Sequence, residues 1–153
     1  MGTIPLLEGA PGPGDSPFGP ITFWVAGRPV QQGGVKAYNV GGKARVVNQN
    51  PVGLQAWRGA IAEEARHHFT TTTIGPVSIN AAFVLSRPKS HPKSKERPHL
   101  STPDLDKLAR SVLDALSGWV YGDDRQVNEL QVTKRYARFE EQPGVMITVV
   151  LSR

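Results

Sequence analysis

Residues 104–151 read DLDKLARSVLDALSGWVYGDDRQVNELQVTKRYARFEEQPGVMITVVL, and they hold the alternation on which the fold turns. Leu105, Leu108, Ala109, Val112 and Leu116 recur at helical spacing, which predicts a helix over 104–117 with one buried stripe. Thr102 or Asp104 serves as its N-cap and Gly118 as its stop. After the Gly122-Asp123-Asp124 turn, residues 127–137 read as a strand. Residues 140–144, EEQPG, turn the chain into a last strand over 145–151. Helix, strand, strand is the second half of an α+β arrangement.

The first half follows by working back toward the N-terminus. Val77, Ile79, Ala81, Phe83 and Leu85 alternate with Ser78, Asn80, Ala82 and Val84, which predicts an interior strand. Over 51–69, Leu54, Trp57, Ile61, Ala65 and Phe69 share one helical face, and four threonines at 70–73 end it. Residues 38–40 and 44–47 flank Gly41-Gly42-Lys43 as a hairpin. Ile21, Phe23 and Val25 alternate with Thr22 and Trp24 in a first strand that Gly27-Arg28-Pro29 closes. The order β-β-β-α-β-loop-α-β-β predicts a single α+β domain over 21–153, a mixed or antiparallel sheet packed with two main helices. Residues 1–20 hold five Gly and five Pro, the composition of a flexible tail.

Composition removes several function classes. There are no cysteines, so a disulfide-stapled fold, a thiolate zinc site and a cysteine nucleophile are excluded, and a reducing compartment fits. No apolar run approaches the roughly 20 residues of a membrane-spanning helix, and the N-terminus lacks the basic and apolar regions of a secretory signal. The class that remains is a soluble, cytoplasmic protein. No Gly-rich phosphate loop or dinucleotide fingerprint is present. Lys and Arg number 18 against 13 Asp and Glu, a formal charge of +5. That excess suits a polyanionic partner, although alone it speaks first to solubility.

Charge is not spread evenly. Residues 86–103, SRPKSHPKSKERPHLSTP, carry Arg87, Lys89, Lys93, Lys95 and Arg97 with four prolines and only Glu96 as an acid. They predict an exposed, extended, basic loop that does not pack. Directly after it come five of the six aspartates: Asp104, Asp106, Asp114, Asp123 and Asp124. Carboxylates hold hard divalent cations, and a basic loop neutralises phosphates, so the juxtaposition suits metal-dependent phosphodiester chemistry.

Geometry prunes the five. Asp106 and Asp114 are about 12 Å apart along a helix axis, too far for two short side chains to share an ion. Asp114 is therefore structural or supporting, and Arg110, between them at i+4 spacing, can salt-bridge one or both. Asp104 and Asp106 converge only if Asp104 lies before or at the cap in extended geometry. A third ligand has to come from the Asp123–Asp124 pair, of which one faces the site. Against this stands the simpler reading, in which an Asp at a helix start is a cap and an Asp-Asp turn is solvated.

Pro103-Asp104-Leu105-Asp106-Lys107-Leu108, then Leu113-Asp114-Ala115-Leu116-Ser117-Gly118, then Gly122-Asp123-Asp124-Arg125-Gln126-Val127 resemble the signature of RusA-type Holliday junction resolvases. The likeness is specific across 98–134. It is looser at Gly27-Arg28-Pro29-Val30 and in the basic loop. The resemblance implies a RusA-like fold and a homodimeric, Mg²⁺-dependent endodeoxyribonuclease, with Mn²⁺ able to stand in. It would nick four-way DNA junctions in symmetric pairs, in the recombination and repair of a bacterial or phage-infected cell. It places the metal ligands on Asp104, Asp106 and Asp124. It also implies a lysine one turn past the second aspartate, where this chain has Arg110. An arginine keeps the charge but does not lose a proton readily. Lys107 stands where the family has Asn, and with Arg110 it completes the expected catalytic set.

Other residues carry weaker signals. Arg28 and Lys36, with Arg87, Lys89, Lys93, Lys95 and Arg97, are expected DNA contacts. His67 and His68, at a helix end, read as structural, and His91 and His99 as solvated loop residues. Trp24 and Trp57 read as core, while Trp119 and Tyr121 flank the aspartate turn. Two rival readings stand beside the resolvase: a non-catalytic DNA-binding module, and a nuclease of the same fold acting on flaps or forks.

Overall fold

β4 (Val77–Leu85) is an interior strand of the sheet, and its burial alternates as its sequence does: Val77, Ile79, Ala81 and Phe83 are buried, while Asn80 is exposed. The computed structural model describes residues 19–33, 35–48, 50–91 and 96–152, with the backbone alone for 35–40 and 44–48. The expected tail, apart from Gly19 and Pro20, therefore lies outside the described residues. The order is β1 (Ile21–Ala26), β2 (Val35–Val40), β3 (Lys43–Asn48), α1 (Pro51–His68), β4, α2 (Leu105–Leu116), β5 (Val127–Tyr136) and β6 (Gly144–Leu151).

The main sheet runs β1-β6-β4-β5, and β2–β3 form a separate hairpin. β1–β6 and β6–β4 are antiparallel, whereas β4–β5 is parallel, so the sheet is mixed. A parallel pair needs a crossover, and residues 86–126 with α2 supply it. α2 must then run back against both strands, its start near the end of β4 and its end near the start of β5. The β2–β3 turn is the two-residue kind that needs positive φ twice, and Gly41 and Gly42 sit at φ 59 and 79.

One face of the sheet is covered. Phe23 and Val25 of β1 and Val145, Ile147 and Val149 of β6 join the β4 residues beneath both helices. Trp57, Ile61 and Ala65 of α1 and Leu108, Val112 and Leu116 of α2 close the core from above. It is a two-layer α+β domain, two helices on a four-stranded mixed sheet. Gly144 is obligatory at the β1–β6 pairing, because a Cβ there would overlap the Val25 carbonyl and the Trp24 ring. No helix among the described residues is long and apolar enough to cross a membrane.

The basic loop corrects one expectation. His99 is buried, not solvated: its ring lies 4.4 Å from that of Tyr136, and its Nδ1 has no hydrogen-bond partner among the described residues. Burial, then the nearby Lys134 charge, pulls its pKa below the usual value, so it stays neutral at pH 7. The loop's second half is also tied down, since Lys134 Nζ donates to Ser101 O at 2.8 Å and Pro103 O at 3.0 Å. Lys134 reaches from β5 to this segment, where two carbonyl bonds do the holding that apolar packing does elsewhere.

The β5–β6 turn is clamped by charge. The Arg135 guanidinium donates to both Glu141 oxygens at 2.5 and 2.7 Å, and Arg138 N–H donates to the same carboxylate at 2.9 Å. These bonds, the Arg135 side chain first, hold the Glu141 pKa down to about 2 from 4.5. A depressed carboxylate stabilises the fold above its unfolded pKa and loses that contribution as pH falls through the folded one. Glu141→Gln is therefore expected to lower Tm at pH 7 and to erase part of the wild-type Tm loss between pH 4.5 and about 2. Parallel Tm–pH curves for the two proteins would refute it.

Candidate active site

α2 begins with an unusual cap. Asp104 occupies the N-cap position in extended conformation, φ −76 and ψ 139, yet its side chain makes no capping hydrogen bond. Its Oδ2 instead accepts from Lys107 Nζ at 3.1 Å. The extended geometry required for Asp104 and Asp106 to converge is thus present, and the simple cap reading is not what the carboxylate does. Asp106 follows in the first turn, exposed.

The aspartate turn divides its labour differently. Asp123 is the cap: its carboxylate accepts Arg125 N–H at 2.9 Å, and that bond, first among the causes, lowers its pKa. Gln126 completes the capping box, Oε1 accepting from Gly122 N–H at 2.9 Å and Asp123 N–H at 3.1 Å. Its Nε2 donates to Thr73 O and Gly75 O, which staples the turn to the segment before β4. Asp124 is exposed and opens a single 3-10 turn, Asp124–Gln126.

Asp124 does not join Asp104 and Asp106. Among the described residues, no group of three or more His, Asp or Glu side chains could hold one ion. The topology explains why. Asp124 follows the C-terminal end of α2, and α2's 12 residues span about 18 Å. Its electrostatic neighbour is Tyr121, fully buried, whose hydroxyl donates to Leu113 O at 2.6 Å. Burial, then Asp124 and Asp114, raise the Tyr121 pKa far above its usual 10. Asp124 and Asp114 thus share Tyr121 as an electrostatic neighbour, whereas Asp104 and Asp106 stand at the start of α2.

Arg110 is exposed and makes no ion pair with Asp106 or Asp114 among the described residues, so the expected salt bridge is absent. Its guanidinium leans toward Gly33, where a Cβ would lie 3.8 Å from Nη1. Asp114 has a different partner, Gln32 Nε2. Asp114→Asn keeps an acceptor for that amide and is expected to leave partial cleavage with a small fall in Tm. Complete inactivity with an intact fold would place Asp114 in the reaction itself.

The remaining candidates scatter. Arg28, Lys89 and Arg97 are exposed, and Arg87 is half-buried. The Lys36 side chain and Lys93 and Lys95 lie outside the described residues. Trp57 is core and Trp24 half-buried. Trp119, 40% exposed, carries the Arg66 guanidinium 4.9 Å above its ring. Gln31, Gln32 and Lys134 escape a reading of the sequence because their partners lie 31 to 82 residues away. Gln126 is readable there, as the fourth residue of an Asp-x-x-Gln capping box.

The model of the family described as Endodeoxyribonuclease RusA matches residues 26–150. The chain belongs to the RusA family. An uncharacterized relative in sequence, YqaN of Bacillus subtilis (strain 168), is 32% identical over 139 residues, covering 84% of this chain and 94% of its own length. RusA membership implies a Holliday junction endonuclease, and RusA nucleases are in general metal-dependent.

Proposed function

We propose that this RusA-family chain is a Mg²⁺-dependent, structure-selective endonuclease that resolves four-way DNA junctions as a homodimer, in cytoplasmic recombination and repair. The observation that supports it most is Asp104, a carboxylate at a helix start that is withheld from capping, two residues before the exposed Asp106. Two such carboxylates fit Mg²⁺, which commonly takes one or two from protein and completes its sphere with water and phosphate. Mn²⁺ has the same hard-oxygen preference. When bound, the ion would polarise the scissile phosphate and lower the pKa of a water. Asp123 is occupied as a cap, which leaves Asp124 as the member of its pair for the site. Among the described residues no three such side chains gather within one chain, so in this reading the twofold partner completes the site and is not only a second copy of it.

The cations have distinct tasks. Lys107 neutralises Asp104 in the absence of an ion and can swing to phosphate when one binds. Arg110 presents a guanidinium that neither Asp106 nor Asp114 occupies, in a form suited to two phosphate oxygens. Arg28, Lys36 and the residues Arg87 to Arg97 would track the DNA arms.

A synthetic mobile four-way junction, with flap and fork controls, tests the reading. Paired nicks on opposed strands in Mg²⁺ and none in EDTA are expected; tight binding without nicks would make it a binding module. Neutralising Lys89, Lys93 and Lys95 together should weaken binding to every DNA structure. The slope of log K against log salt should fall by roughly 0.9 for each phosphate that the loop no longer neutralises. An unchanged slope would reduce the loop to a connector.

A further inference from the structure

Between β1 and β2 the chain lays a strap along α2. Gln31 Oε1 accepts the Asp104 N–H at 2.8 Å, and Gln32 N–H donates to Lys107 O at 2.9 Å. The Gln32 side chain reaches Asp114, and Gly33 faces Lys107 and Arg110. Three consecutive residues therefore touch 104, 107, 110 and 114, the helix face that carries the candidate chemistry.

The Gln31 bond bears on the geometry of the helix start. An N-cap aspartate ordinarily turns its carboxylate onto the N2 or N3 N–H, and a Glu or Gln at N3 reaches back to the N-cap N–H. Here N3 is Lys107, which has no acceptor. Gln31 supplies the missing half of the box from 73 residues away. It pins the Asp104 backbone in the extended conformation, and the carboxylate, off the first-turn N–H groups, pairs with the Lys107 ammonium.

We propose that Gln31 is a positioning residue of the nuclease, one that fixes the Asp104 backbone in the extended geometry from which its carboxylate and that of Asp106 can serve one divalent cation. The proposal rests on the reading of Asp104 as a ligand. Without the Gln31 acceptor, the Asp104 N–H loses its side-chain partner, the residue is freer to leave the extended conformation, and the two carboxylates lose their fixed relation. Stability falls modestly, because one part-buried hydrogen bond is lost at a helix end. Metal affinity falls.

Three proteins decide it: wild type, Gln31→Leu, which removes the acceptor at similar size, and Gln31→Glu, which keeps an acceptor oxygen. Amide hydrogen exchange reads that loosening without metal or DNA. In Gln31→Leu the Asp104 amide should exchange faster, and in Gln31→Glu it should stay as in wild type. Mg²⁺ titration followed by thermal shift should need about tenfold more metal in Gln31→Leu, the usual scale for losing a ligand's supporting hydrogen bond. Unchanged exchange at the Asp104 amide of Gln31→Leu, or faster exchange with Mg²⁺ affinity as in wild type, overturns the proposal. A wild type that Mg²⁺ fails to stabilise overturns the ligand reading beneath it, and is a separate result from the exchange.

Discussion

Asp104→Asn, Asp106→Asn and Asp124→Asn are each expected to abolish cleavage of a four-way junction while binding persists or strengthens. An amide of the same size keeps the local fold but loses the charge that holds a hard cation. It also removes a negative charge from beside phosphate, so docking should not suffer. Losing the water activation and phosphate polarisation of a bound ion puts the expected fall at several orders of magnitude. Near-normal turnover in any one variant removes that residue from the set.

The absence of a three-carboxylate group among the described residues makes a sharper version of the same experiment. If each site is completed across the twofold, mixing Asp104→Asn with Asp124→Asn subunits creates heterodimers with one doubly impaired site and one intact site. Nicking of a single strand should return. If each site were confined to one chain, every site in the mixture would carry a lesion and activity would stay absent. Gel-mapped nicks after refolding the two variants together separate the outcomes.

What the sequence discloses and what it withholds follow one physical division. Strands and helices are readable wherever the period of burial is local: Val77, Ile79, Ala81 and Phe83 face the core because alternate residues of a strand must. The α2 stripe is readable for the same reason. The sheet's mixed character is less plain, because parallel pairing of β4 with β5 depends on where a 41-residue crossover, residues 86–126, sets the chain down. His99 resists reading because its burial depends on Tyr136, 37 positions later, in a segment whose prolines and lysines predict solvent. The Gln31–Gln32 strap is invisible in the same way. For the site, spacing set the geometric condition on Asp104 and the resemblance named the ligands. Only the folded chain left Asp104, Asp106 and Asp124 ungathered, with no three-ligand group among the described residues.

Arg110→Lys is expected to keep single-turnover cleavage within about tenfold of wild type, a barrier change near ~1.4 kcal/mol, and Arg110→Ala to lose about 10²–10³-fold. Two roles suit a basic residue one turn past Asp106: a charge clamp, and a proton donor to the leaving oxygen. Arginine, with a pKa above ~12, performs the first well and the second poorly. Spacing alone suggested that the clamp acts on Asp106 and Asp114. The structure removes that version, since Asp114 is held by Gln32 and, among the described residues, no Arg110 ion pair forms with either aspartate. An exposed guanidinium paired with neither of them, on the face that carries Asp104 and Lys107, is instead disposed toward an anion outside the chain. Lysine at 110 would preserve that charge with fewer donors and without the planar fork, hence the modest loss. Alanine would leave the developing phosphate charge to Lys107 alone. If proton donation were the task, the wild type would be slow as it stands and Arg110→Lys would accelerate it. Rates at saturating Mg²⁺ for the three proteins decide between the roles, and a marked gain in the lysine variant would overturn the clamp.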